Sequence, residues 1–286
     1  MRNRIKYSQN FIKNNDLVKR LIDISNISLN DIVYEIGAGD GIITSELLKT
    51  AGKVVSFELD KNLFDKLKIK FKDRKSLELK ANNFLDINLP NIKYKVFSNI
   101  PFNITSAILK KLTFDINPPC ESYLILQREA GMKFAGKPLD VKNSQISVIL
   151  HPFFEFNVIH KFNSNDFFPR PNVDTILLKI SKRDEPLVKN VKKYQDFITY
   201  VFNQPKPNIT EGLSKIMKIP STGLKPSELD FEDWISLFDL FLIQPINKQK
   251  LVNGFFTKQL RDQEKLEKVN RTRLDTSWRK YRPSNV

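Results

Sequence analysis

One cysteine and two histidines are all that 286 residues hold of those types. The lone thiol, Cys120, excludes an intramolecular disulfide and a cysteine-based zinc cluster, and His151 with His160 makes a poor ligand set, so no metal is expected. No apolar run approaches the roughly 18 to 20 residues that cross a bilayer, which excludes a membrane-spanning chain. The N-terminus carries no apolar stretch followed by a small-residue cleavage site. A cytoplasmic protein without a membrane partner is expected, and a monomer. Acidic residues are also in short supply: 32 Asp and Glu face 47 Lys and Arg, a net charge of +15. Such an excess suits a polyanionic partner, RNA or DNA; a lysine-rich composition that serves solubility alone is the competing reading.

What is present fits a globular chain. Hydrophobic residues at 41% allow a sizeable core, and the length allows two domains. From Asp31 to Lys182 short apolar runs alternate with stretches of helical period, the pattern of a mostly parallel sheet with crossover helices. Strands are expected over 32–36, 54–58, 77–80, 95–98 and 123–126, with helices over 42–50, 63–71 and 107–114. Two long apolar segments, 144–159 and 173–180, read as an antiparallel pair closing the sheet edge. Beyond Ser181, Asp184, Glu185 and Pro186 break the pattern, and apolar residues recur at helical spacing over 194–202, 213–217 and 231–242. The expected division is an α/β domain over 1–183, a small helical domain over 184–246 and a basic extension over 247–286. That extension has eleven Lys and Arg against four acids, with Trp278 and Tyr281 among them. It reads either as a solvated helix or as an RNA-gripping tail.

Glycine is scarce, nine in all, yet Gly37, Gly39 and Gly41 fall within five residues, between a strand and a helix. Glycines there let the backbone turn tightly and approach a ligand closely. Glu58, at the end of the next strand, is placed to accept hydrogen bonds from both ribose hydroxyls of a nucleotide. The spacing departs from the G-x-G-x-x-G that seats a pyrophosphate, and Glu35 and Asp40 would repel a phosphate. S-adenosylmethionine (SAM) has no phosphate and carries a sulfonium and an ammonium, so the acidic loop favours it over NAD. A structural turn with an incidental acid is the alternative. After the fourth strand comes Asn99-Ile100-Pro101-Phe102. Its amide oxygen and a proline-fixed carbonyl can both accept from an exocyclic amine while a ring stacks on the base.

Taken in order, Ser8-Gln9-Asn10-Phe11-Ile12, Glu35-Ile36-Gly37-Ala38-Gly39-Asp40-Gly41, Glu58-Leu59-Asp60, Asn99-Ile100-Pro101-Phe102-Asn103-Ile104 and Phe167-Phe168-Pro169-Arg170-Pro171-Asn172-Val173 resemble the motifs of ribosomal RNA adenine dimethyltransferases. The resemblance is strong over 6–182, thinner to about Leu242 and absent from the tail. It implies a Rossmann-like SAM-dependent methyltransferase fold, mostly parallel with an antiparallel edge, plus a smaller C-terminal helical domain that binds RNA. It also implies roles. Gln9, Asn10 and Ile12 would lie near the methionine part of SAM, Gly37 and Gly39 under it, Glu58 and Leu59 at the ribose, and Asn83 and Phe84 around the cofactor adenine. Asn99, also among the cofactor-binding residues, and the Ile100 carbonyl would accept from the target amine, Phe102 would stack on the target adenine, and Phe167 would form a second aromatic wall. The family usually has Asp where Asn83 stands, which implies weaker SAM binding, and more often Tyr where Phe102 stands.

Within the family the chain most resembles the Erm branch, which dimethylates an adenine of 23S rRNA and confers resistance to macrolide, lincosamide and streptogramin B antibiotics. Ile100, where the small-subunit (16S) branch commonly has Leu, supports that preference. The 16S dimethyltransferase of ribosome biogenesis is the first alternative, and a non-catalytic RNA-binding factor on the same fold is the second.

Overall fold

The alternation of apolar residues along the strands divides their side chains between two cores. In a computed structural model describing residues 10–206 and 208–272, Val33, Val54, Phe97, Ile125 and Leu177 face one buried cluster, while their neighbours Tyr34, Val55, Val96, Leu124 and Leu178 face the other. Side chains of period two on strands buried on both faces require helices on each side, so the first unit is a sandwich of helix, sheet and helix. Each such fully buried Val, Leu or Phe contributes about 1.5–3 kcal/mol.

The strands are β1 (Phe11–Ile12), β2 (Ile32–Ile36), β3 (Lys53–Phe57), β4 (Leu77–Lys80), β5 (Lys95–Asn99), β6 (Glu121–Gln127), β7 (Phe154–Lys161), β8 (Phe167–Phe168) and β9 (Thr175–Lys182). Seven form one sheet in the order β4-β3-β2-β5-β6-β9-β7, and β1 pairs with β8 as a separate antiparallel ribbon. Strands β2 to β6 run parallel, and β9 is antiparallel to both β6 and β7. Helix α1 (Asn15–Asp23) leads into β2, and the helices between strands of the sheet are α2 (Ile42–Thr50), α3 (Lys61–Lys70), α4 (Thr105–Phe114), α5 (Arg128–Ala135) and α6 (Gln145–Leu150). This is the Rossmann-like methyltransferase architecture with an antiparallel edge.

Segment 144–159 is not one strand. Its first part is α6, because Ser144 and Ser147 cap each other: the Ser147 N–H donates to the Ser144 hydroxyl and the Ser144 N–H to the Ser147 hydroxyl, both at 3.0 Å. That reciprocal cap outweighs the β-branched content of the run. His151 therefore ends a helix, and only His160 lies in a strand. Arg128 begins α5.

Contacts divide the chain between Pro186 and Leu187. The second unit contains α7 (Val191–Phe202), α8 (Ile209–Leu213), α9 (Phe231–Leu242), α10 (Ile246–Gln249) and α11 (Phe255–Thr272). Its core is aromatic, with Tyr194, Phe197, Trp234, Phe238 and Phe241 all buried. Residues 247–272 belong to this unit rather than to a separate extension. Val252 is buried, and the Asp196 carboxylate accepts from the Gly254 and Phe256 N–H groups at 2.9 Å, anchoring the start of α11. Trp278 and Tyr281 lie outside the described residues. No helix among those residues is long and apolar enough to cross a membrane, and no cluster there has the makings of a metal site.

Candidate active site

Strand order reverses between β2 and β5, and in open α/β sheets a ligand crevice opens at the carboxyl ends beside such a reversal. Gly37, Gly39 and Gly41 follow β2 there with φ of 76°, 58° and 76°. The second and third glycines serve different ends. A Cβ on Gly39 would stand 2.9 Å from the Phe11 ring, while one on Gly41, which caps α2, would meet Leu67 at 2.6 Å. Gly41 is thus a packing glycine, and the loop that faces the crevice is 37–40. That loop is pinned by bonds from the Gly37 and Ala38 N–H groups to the Phe57 carbonyl at 2.8 and 3.0 Å.

Glu58 completes the loop's support. Its carboxylate is buried, and its two oxygens accept from the Gly39 and Asp60 N–H groups, each at 2.8 Å. Both oxygens are held in place yet retain lone pairs for two further donors, as a ribose diol requires.

Two adjoining cavities share Gly37 and Pro101. The first is walled by Asn10, Phe11, Ile12, Gly39, Asp40 and Asn99. The second, of about 220 Å³, is walled by Glu58, Leu59, Asn83 and Phe84. Asn82, Asn103 and Ile104 also line it; nothing in the sequence marks Asn82, whereas Asn103 and Ile104 continue the motif that begins at Asn99. Gln9 lies outside the described residues. The Asn83 amide has a fixed sense, its oxygen accepting from the Leu85 N–H at 3.2 Å and its nitrogen donating to Asp86 at 2.9 Å. That oxygen keeps a second lone pair for a further donor. The Phe84 ring is buried edge-on against Phe57 at 5.3 Å.

On the other side of the crevice the Asn99 amide nitrogen donates to the Asn10 carbonyl at 2.7 Å, which leaves the amide oxygen as the acceptor. The Ile100 N–H donates to Ile125 at 3.0 Å, and the Pro101 carbonyl starts the turn carrying Phe102 by accepting from Ile104 at 3.1 Å. Phe102 is half-buried on that turn.

Two expectations change. Phe167 does not form an aromatic wall: it is fully buried, its ring 5.2 Å from that of Phe162, because its register partner is the core residue Ile12. Nor does Glu35 charge the crevice. It is buried behind the loop, one oxygen accepting from Thr44 and Ser56 at 2.6 Å and the other without a partner. Burial pushes its carboxyl up to about 7 despite those two donors. The acids that do face the crevice are Asp40 and Glu58.

The model of the family described as "Ribosomal RNA adenine dimethylase" matches residues 1–225. The chain belongs to that family. It is accordingly a SAM-dependent rRNA adenine dimethyltransferase. A Ribosomal RNA small subunit methyltransferase A from Mycoplasma mycoides subsp. mycoides is 28% identical over 255 residues, covering 82% of this chain and 96% of the relative. Among solved structures, the 23S rRNA methyltransferase ErmE superposes with a TM-score of 0.73 at 25% identity, covering 80% of this chain and 98% of that one. A dimethyladenosine transferase from Plasmodium falciparum shares the fold, with a TM-score of 0.68 at 19% identity over 82% of this chain and 99% of its own.

The crevice of this dimethylase fits the family's cofactor. The glycine loop admits close approach, paired acceptors stand at Glu58, an amide acceptor stands at Asn83, and Asp40 offers the negative charge that an ammonium or sulfonium prefers.

Proposed function

We propose that the protein dimethylates adenines of small-subunit rRNA. What supports this reading over the 23S branch is that curated relatives, at 28–29% identity and with 94–98% of their length covered, carry the name small subunit methyltransferase A. The 23S reading keeps two supports of its own, the likeness to ErmE and Ile100 in the substrate motif.

Residue roles follow from chemistry at the crevice. Glu58 accepts from the ribose hydroxyls, the Asn83 oxygen from the cofactor adenine amine, and Asn10, Gly37, Gly39 and Asp40 surround the methionine part. When bound, SAM supplies an electrophilic methyl group. The target adenine enters unpaired or flipped, and Phe102 stacks on it. Its amine is a poor nucleophile because the lone pair is delocalised into the ring. The Asn99 oxygen and the Ile100 carbonyl accept from that amine, favour its pyramidal form and stabilise positive charge as it develops. The crevice needs no dedicated base, since the methylated amine is acidic enough to lose its proton to water.

The deciding experiment is transfer of labelled methyl to protein-free 23S rRNA, protein-free 16S rRNA and assembled small subunits in parallel, with the modified base mapped. Label on small subunits or 16S rRNA supports the proposal. Label confined to 23S rRNA overturns it in favour of the resistance branch, and SAM binding without label on any RNA favours a binding factor.

A further inference from the structure

The ribbon of β1 and β8 has one face in the core and one toward solvent, and the solvent side carries groups that methyl transfer itself does not use. Its register pairs Ile12 with Phe167 and Phe11 with Phe168. Cross-strand partners project to the same side and successive residues to opposite sides. Ile12 and Phe167 accordingly share the buried side, and Phe11 and Phe168 share the other. Phe11 is the half-buried member, its ring lying against Gly39 and walling the first cavity beside Asn10 and Asn99. Phe168 is 63% exposed. The ladder continues through the Lys13 N–H, which donates to the Asp166 carbonyl at 3.1 Å. Lys13, two residues beyond Phe11, places its ammonium 4.6 Å from the centre of the Phe168 ring.

A large apolar ring in water beside a catalytic crevice, with a cation already against it, is a poor structural element and a good nucleotide contact. Single exposed apolar side chains are common; what sets Phe168 apart is the crevice-lining Phe11 beside it and the Lys13 ammonium against its ring. An unstacked base has a π-face for the ring, and the phosphate next to it is a partner for the ammonium. We propose that Phe168 and Lys13 clamp the nucleotide adjacent to the target adenine, Phe168 by stacking on its base and Lys13 by pairing with its phosphate. The clamp rests on the reading of the protein as an rRNA adenine methyltransferase and adds a subsite to it. The target adenine is held at Asn99, Ile100 and Phe102; its neighbour is held outside the crevice, on the ribbon. Such a grip keeps the flanking base from restacking on the target and so lengthens the time the target spends extruded.

The test uses the full chain and the variants Phe168→Ala, Phe168→Tyr and Lys13→Ala. SAM affinity, kcat and KM for rRNA are measured, together with the fluorescence of a stem-loop RNA whose loop adenine is flanked on both sides by 2-aminopurine. Stacking on the ring quenches one flanking probe. Phe168→Ala is expected to raise KM roughly tenfold and abolish that quenching, with SAM affinity unchanged; Phe168→Tyr keeps both. Lys13→Ala is expected to raise KM by about threefold and to reduce the salt dependence of RNA binding. If Phe168→Ala methylates rRNA with an unaltered KM and the quenching persists, the clamp is overturned and the enzyme assignment stands. If the unmodified protein methylates no rRNA at all, the assignment falls and takes the clamp with it.

Discussion

The two ends of the parallel strands treat polar groups in opposite ways. At the carboxyl end Glu58, Asn83 and Asn99 are each fixed by one or two hydrogen bonds and still present an acceptor to a cavity. At the amino end the charges of Asp31, Lys95, Glu121 and Lys179 are partnered with one another inside the protein. Lys95, at the start of β5, lies between Asp31 and Glu121 at 3.1 and 3.5 Å, and Lys179 reaches Glu121 at 2.6 Å. The Lys95 ammonium also donates to the Asn26 carbonyl, while the Tyr123 hydroxyl donates to Glu121 and accepts from the Asn26 N–H. The carboxyl end is organised to receive a ligand and the amino end to close the sheet. One sheet separates binding from stability by placing them at opposite edges.

The sharpest test of that separation is Asn99→Ala. Removing the acceptor for developing charge is expected to lower kcat by roughly 10²–10³-fold while thermal stability and SAM affinity change little. Measured by single-turnover methyl transfer beside a SAM titration, a loss of SAM binding equal to the loss of rate would move Asn99 from the substrate to the cofactor. The converse test is Lys95→Met, which takes the shared cation from Asp31 and Glu121, whose side chains are 18% and 15% exposed, and leaves them Ser28 on one side and Lys179 with Tyr123 on the other. Breaking such a pair from one side is expected to remove about 2 kcal/mol of stability, a fall in Tm of roughly 4–8 °C, with kcat and SAM affinity of the folded protein intact. Reduced kcat at a temperature where the variant is fully folded would show that the two edges are coupled.

The two edges were also unequally legible in the sequence. The site was readable because its signals are local: glycines in a glycine-poor chain, an acid at the end of the next strand, and a proline-fixed tetrapeptide after the fourth. The amino-end network joins residues as far apart as Asp31, Lys95, Glu121 and Lys179, and nothing in their spacing announces it. Strands and helices with regular apolar periods, such as 32–36, 42–50 and 231–242, fall where the periods place them. The errors came where short-range hydrogen bonds compete with pattern, as in the Ser144 cap that turns an apolar run into a helix. They came also where parity matters: Phe167 and Phe168 are adjacent and chemically alike, and only the register with β1 decides which is buried. Glu35 was misread for a third reason, since a sequence does not reveal whether an acid beside a glycine loop faces the ligand or the sheet.

Glu35 gives the smallest and most specific way to separate the edges, through pH. Its carboxyl rises in the folded protein from 4.5 to about 7, so between those values the folded state holds a proton that the unfolded state has released. Stability from this group therefore falls as pH rises through that window and is flat above it. At the other edge the signs reverse. Burial alone would raise Asp31 and Glu121, but hydrogen bonds from Ser28 and Lys95 on one, and from Lys179 and Tyr123 on the other, hold both below their ordinary values. Their contribution is present above the ordinary carboxylate range and is lost as pH falls below it. Glu35→Gln, which imitates the protonated acid, is expected to gain about 2 kcal/mol on the parent protein between pH 5 and pH 8, leaving the acid limb unchanged. The amide's extra N–H adds an offset that does not vary with pH, so the quantity to measure is the change in the Tm difference across the window. A difference constant from pH 5 to 8 would mean that Glu35 is ionised throughout, its partnerless oxygen solvated by buried water.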